Sequence, residues 1–191
     1  MKNVKARDID KILPQTQCGL CTYEGCMPYA DALANDKAEI NLCPPGGVDG
    51  LLKLGKLLNK NPSIYIEEMQ QKAKPNLRAE IIEEDCIGCK KCIKACPVDA
   101  IIGGPKLMHS VITDECAGCE LCIEPCPVDC IVMVESDDNT DRKEQYRDRY
   151  NAREKRLSSM ERKASLKPIQ HKTKENKQDY IKAALLRAKS R

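Results

Sequence analysis

Two stretches, CIGCKKCIKACPVDAI (Cys86 to Ile101) and CAGCELCIEPCPVDCI (Cys116 to Ile131), align without gaps at an offset of 30 residues. Each reads C-x2-C-x2-C-x3-C-P, and whatever this segment folds into must place eight cysteines at those fixed steps. A strand-like run precedes each motif, AEIIEED or HSVITDE, and another follows, Ile101-Ile102 or Ile131 to Val134. Two strand–loop–helix–strand halves related by pseudo-symmetry are expected.

The chain has 191 residues, 13 of them cysteine, with neither Phe nor Trp. A large aromatic core is therefore closed to it, and small domains short of buried surface draw stability from cross-links or metal. Disulfides and metal thiolates compete for the cysteines. An odd total disfavours complete pairing. The opening MKNVKARDIDKILPQTQ has no apolar stretch and no small-residue cleavage site, and nowhere do about 18 apolar residues run together. The expectation is a cytoplasmic, soluble chain with reduced thiols and no signal peptide or transmembrane segment.

The repeated spacing is more specific than a lone CxxC. Zinc sites generally pair C-x2-C knuckles around one ion, whereas three cysteines at steps of three wrap a loop around a cubane. In two-cluster ferredoxins the fourth cysteine ligates the other cluster. Cys86, Cys89, Cys92 and Cys126 are thus expected to hold one [4Fe-4S], and Cys116, Cys119, Cys122 and Cys96 a second. Gly88 and Gly118 let the backbone approach the sulfurs and aim N–H groups at them, while Pro97 and Pro127 fix the chain where it leaves each site. At residues 80 to 134 the sequence resembles bacterial 2[4Fe-4S] ferredoxins, and these ligands are carried over position by position.

Other residues read as structural. Cys130 takes the place of Ala100 in the other repeat, an apolar position, and is expected as a buried free thiol. His109 is read as structural too. With two histidines and no acid or nucleophile at a recognisable spacing, nothing argues for acid–base catalysis or a catalytic site of the chain's own. GGPK at Gly103 to Lys106 is a turn, without the length and Ser/Thr of a phosphate loop.

A second cysteine set lies upstream, in CGLCTYEGCMPYADALANDKAEINLCPPGG. Cys18, Cys21, Cys26 and Cys43 are spaced C-x2-C-x4-C-x16-C, the last on a rigid Pro-Pro-Gly-Gly turn. Spacing alone leaves zinc and iron–sulfur open here. Beyond it Leu51, Leu52, Leu54, Leu57 and Leu58 recur at helical spacing, with Asn59 as a stop before Pro62.

ILPQTQCGLCTYEGCMPYADALA followed by INLCPPGG resembles the iron–sulfur domain of the B subunits of Rnf/Rsx ion-translocating ferredoxin:NAD oxidoreductases. The order of segments agrees over about residues 8 to 163: that domain, a two-cluster ferredoxin with MHSVI between its motifs, then a charged tail. The resemblance implies a third [4Fe-4S] held by Cys18, Cys21, Cys26 and Cys43, and a chain that relays electrons inside a membrane complex. Flavin or nicotinamide chemistry would fall to other subunits, since no dinucleotide fingerprint is present. Such B subunits usually begin with a hydrophobic spanning segment, whereas 17 polar and mixed residues precede Cys18 here. Peripheral attachment to the cytoplasmic face of the inner membrane is expected, through partner subunits or through the basic tail meeting anionic lipid.

The fold class expected is α+β, in four parts: an α-rich 4Fe-4S domain at 1–61, a linker at 62–79, the two-cluster domain at 80–135 with a (βαβ)2 pattern, and a basic tail at 136–191. Up to residue 135 the chain carries 15 Lys and Arg against 20 Asp and Glu, and after it 17 against 9. An acidic body steers docking toward basic redox partners. The tail is expected as a solvated or partly formed helix from about Arg142 to Ala164, broken near Pro168, with a shorter amphipathic piece from Tyr180 to Ala188. Two rivals to a role inside the complex remain: a free-standing ferredoxin-like carrier serving other reductases, and an iron–sulfur sensor binding nucleic acid through the tail. The second is disfavoured, because the tail's tyrosines form no stacking platform and no recognition helix stands out.

Overall fold

The computed structural model describes residues 4–137, 140–165 and 174–189. It divides into two compact units, Met1–Glu154 and Lys155–Arg191.

In the first unit, four helices open the chain: α1 (Ala6–Asp10), α2 (Cys26–Ala34), α3 (Gly47–Leu58) and α4 (Ile66–Lys72). They bury Ile9, Leu13, Tyr29, Leu33, Ile40, Leu51, Leu54 and Met69, each at most 1% exposed. Leu51 and Leu54 are three apart, so a helix sets them on one face, while Leu52 points outward and is exposed. As the sequence suggested, α3 stops at Asn59, which turns left-handed at φ 53°, a conformation Asn tolerates well. The stretch read as a linker from residue 62 contains α4, whose Met69 is buried in this same core.

The repeat follows. β1 (Leu77–Ile81) pairs antiparallel with β4 (Ile131–Glu135), from Leu77 opposite Glu135 to Ile81 opposite Ile131. β2 (Ile101–Ile102) pairs antiparallel with β3 (Ser110–Val111). The strand before each motif therefore pairs with the strand after the other, which is how two halves become one domain. The halves differ in one respect from the sequence reading. The first motif contains a helix, α5 (Lys91–Ala95), whereas residues 121–125 of the second form a turn. Pro125 stands where the first motif has Ala95, and proline has no N–H to close a helical hydrogen bond. With helices and small sheets together, the fold is α+β, as expected.

Gly88 and Gly118 sit at φ +68° and +66°. What crowds them is backbone: a Cβ on Gly118 would stand 2.3 Å from the Leu77 carbonyl oxygen, and one on Gly88 2.6 Å from the Leu107 nitrogen. These glycines admit the crossing strand segment of the other half as well as a left-handed turn.

α6 (Lys143–Ser165) begins within the first unit, and α7 (Lys174–Lys189) belongs to the second. The helices fall where the tail was expected to be helical, α7 beginning earlier than the piece anticipated from Tyr180; Pro168 lies outside the described residues. In α7, Tyr180, Ile181, Leu185 and Leu186 are exposed. Among the described residues no helix is long and apolar enough to cross a membrane.

Candidate metal centres

The upstream cysteines converge. Cys18, Cys21, Cys26 and Cys43 all line one cavity, walled by Leu13, Tyr29, Pro44 and Pro45. Cys26 opens α2, and Cys43 leads into the 3-10 turn Pro44–Gly46. Backbone N–H groups of Tyr23, Gln17 and Gly46 point at Cys21, Cys26 and Cys43 respectively. Burial pushes the Cys26 and Cys43 thiols up to about 12, against the lowering effect of those bonds. A thiolate persists there against a cationic partner, and loading metal releases the thiol protons.

A buried polar chain supports this site. Arg147 Nε of α6 lies 2.7 Å from Asp10 Oδ2. Gln15 Nε2 donates to Asp10 Oδ1 at 2.9 Å, Gln17 Nε2 to Gln15 Oε1 at 2.9 Å, and Gln17 Oε1 accepts the Cys26 N–H at 2.8 Å. Asp10, Gln15 and Gln17 are all buried. Each link satisfies a group that would otherwise be costly to bury. Sequence reasoning missed these residues. The signal was Pro14-Gln15-Thr16-Gln17, polar residues wedged between Leu13 and the first cysteine.

In the repeat, Cys86, Cys89, Cys92 and Cys126 line a single cavity together with Ile81, Ile87, His109 and Cys130. Cys126, from the second motif, thus stands with the three cysteines of the first. The other set is mutually close as well: burial pushes Cys119 up to about 12, and Cys96, Cys122 and Cys116 raise it further by their charge. Cys122 is likewise pushed up to about 12 by burial and then by Cys116 and Cys96. N–H groups again face sulfur, with Ala100 N 3.2 Å from Cys96 Sγ and Ala79 N 3.4 Å from Cys116 Sγ. Cys130 is buried, as expected, yet its Sγ lies 3.6 Å from Cys126 Sγ.

Sulfur-only donor sets with backbone N–H groups aimed at them fit iron–sulfur chemistry. Among the described residues no group of three or more His, Cys, Asp or Glu is arranged to hold a single metal ion. The cysteines surround cavities rather than a point, as a polynuclear group requires.

The start of α6, expected as solvated, is docked on these sites. Tyr146 is buried and donates its hydroxyl to the Cys116 carbonyl at 3.2 Å. Arg149 donates to the carbonyls of Val98 and Asp99 at 2.7 and 3.0 Å, and Arg153 to that of Lys94 at 2.5 Å. These three carbonyls flank Cys96. A cleft further joins Cys18, Pro45 and Gly46 of the upstream site to Ala117 and Gly118 of the second motif, with Arg142 and Tyr146 on its wall.

Comparison with known proteins agrees with this geometry. Residues 79–133 match the family described as 4Fe-4S dicluster domain, and residues 13–45 the family described as putative Fe-S cluster. The chain is thus an iron–sulfur protein carrying two such modules. Its curated homologues are B subunits of ion-translocating oxidoreductase complexes. That of Thiobacillus denitrificans is 57% identical over 106 residues covering 56% of each chain, and that of Escherichia fergusonii 52% identical over 100 residues covering 52% of each. The one from Shigella flexneri is 51% identical over a similar span. The resemblance read from the cysteine motifs is borne out, and the chain spans about half the length of the curated relatives it matches.

Proposed function

We propose that this chain relays single electrons through three [4Fe-4S] clusters, as the B subunit of an ion-translocating oxidoreductase complex. Cys18, Cys21, Cys26 and Cys43 would hold the first, Cys86, Cys89, Cys92 and Cys126 the second, and Cys116, Cys119, Cys122 and Cys96 the third. One observation carries the reading: Cys126 shares a cavity with Cys86, Cys89 and Cys92, the exchange of fourth ligands found in two-cluster ferredoxins. The names of the relatives support the complex, whose other subunits would be the partners at the inner membrane.

The clusters supply reversible one-electron chemistry; the polypeptide holds, spaces and insulates them. The cleft between Cys18 and Gly118 puts the first site beside the third, and α6 ties the two together through Arg147 on one side and Tyr146 and Arg149 on the other. Electrons would therefore pass in the order first, third, second. Four of the tail's arginines, 142, 147, 149 and 153, face carboxylates or carbonyls of the chain itself, which leaves less charge for nucleic acid.

The test is electron paramagnetic resonance on the anaerobically reduced, loaded chain, alone and after Cys43→Ser. Magnetic coupling among clusters is expected, and removing the first should simplify the signal of one repeat cluster. A diamagnetic chain under reduction overturns the relay. Isolation from membranes of its own cell, with and without partner subunits, tests the complex; recovery that does not depend on them would favour a free carrier.

A further inference from the structure

Ala79 and His109 occupy equivalent positions, 30 residues apart, in the two halves of the repeat. Each donates its backbone N–H to the first cysteine of the opposite motif: Ala79 to Cys116 Sγ and His109 to Cys86 Sγ, both at 3.4 Å. At the side chain the symmetry breaks. His109 is 1% exposed and its Nδ1 lies 3.1 Å from Cys92 Sγ, while its Nε2 has no hydrogen-bond partner among the described residues. Among those residues the contact to Cys92 is the ring's one polar tie. Gly103 makes room for it, since a Cβ there would stand 2.4 Å from His109 Cδ2.

A second departure falls on the same cavity. Cys130 replaces Ala100, and its Sγ lies 3.6 Å from Cys126 Sγ. Both extra polar groups therefore face the ligand set of Cys86, Cys89, Cys92 and Cys126, and the corresponding residues facing the other set, Ala79 and Ala100, carry methyl groups.

We propose that His109 and Cys130 give the cluster held by Cys86, Cys89, Cys92 and Cys126 the higher potential of the repeat pair, making it the electron-accepting end. The proposal rests on the cluster assignment above. An iron-bound thiolate accepts hydrogen bonds and cannot donate them, so the ring presents Nδ1–H to Cys92, and the Cys130 thiol donates to Cys126. Reduction adds one negative charge to the cluster, and donors at its sulfurs stabilise that form more than the oxidised one. The step is transfer of one electron from the neighbouring reduced cluster, which is oxidised in turn; no bond forms or breaks.

The experiment is a redox titration of the loaded full chain, followed by paramagnetic resonance, with iron and sulfide counted on every sample. His109→Leu removes the donor, and the higher of the two repeat-domain potentials should fall by about tenfold in the reduced-to-oxidised ratio, ~59 mV for a one-electron couple. His109→Asn keeps an N–H at the Nδ1 position and should restore most of the shift. Cys130→Ala copies Ala100 and should lower the same potential by less, with iron content intact. If the Leu and Asn variants coincide, if the lower potential moves instead, or if none moves, the proposal is wrong. Should the Leu variant fail to load its cluster, Cys130→Ala decides: a lowered value supports the proposal and an unchanged one overturns it. A wild-type chain lacking clusters is a distinct result, which would overturn the relay itself.

Discussion

The two iron–sulfur modules hold their cysteines by different means. In the upstream module a helical core of Leu33, Leu51, Leu54 and Met69 stands apart from the four cysteines, and a buried polar chain from Arg147 to Gln17 positions Cys26. In the repeat the cysteines are themselves much of the core: Cys92, Cys96, Cys116, Cys122, Cys126 and Cys130 are buried among Val98, Ala100, Ile101 and Ile131. The difference teaches that one module has apolar burial to keep its shape, whereas the other depends on what its thiolates bind.

Stripping the metal should give the largest effect and the clearest break between them. Amide protection around Ile81 and Ile131 is expected to vanish on chelation, with protection around Leu51 and Leu54 retained in part. Equal loss in both modules, followed by hydrogen exchange, would erase the distinction. In the same spirit, Cys18→Ser or Cys43→Ser should remove one cluster's worth of iron and leave the repeat pair.

Arg147→Ala leaves Asp10, 3% exposed, without its cation. Breaking such a pair costs about 3 kcal/mol, and denaturant unfolding should report the loss in the upstream module. Gly118→Ala acts on the repeat alone. It forces a left-handed φ of +66° and a 2.3 Å contact with Leu77, for a cost of about 2 kcal/mol; Gly88→Ala should cost less, its nearest contact being 2.6 Å. Tyr146→Phe gives the smallest change. It removes the hydroxyl bound to the Cys116 carbonyl, worth about 1 kcal/mol, and should show as a lowered unfolding midpoint with all clusters still loaded.

Much of this was legible in the sequence. The 30-residue repeat gave the pseudo-symmetric halves, and Leu51, Leu54 and Asn59 gave α3 with its end. The cysteine sets were readable because ligand spacing is a local property of the chain. Long-range contacts were not. Nothing local says that Arg147 reaches Asp10, 137 residues away, or that the start of a highly charged helix packs on the loops around Cys96 and Cys116. Charge density suggested a solvated tail, and the docked arginines escaped notice because their partners are carbonyls and carboxylates of distant loops. His109 read as structural for the same reason: its meaning lies in Cys92, which only the fold brings to 3.1 Å.

Counting iron and acid-labile sulfide per chain after anaerobic isolation tests the central claim most directly. The account predicts about twelve of each, for three cubanes. About eight would leave the upstream cysteines without a cluster. A colourless chain carrying zinc and no sulfide would contradict the account altogether.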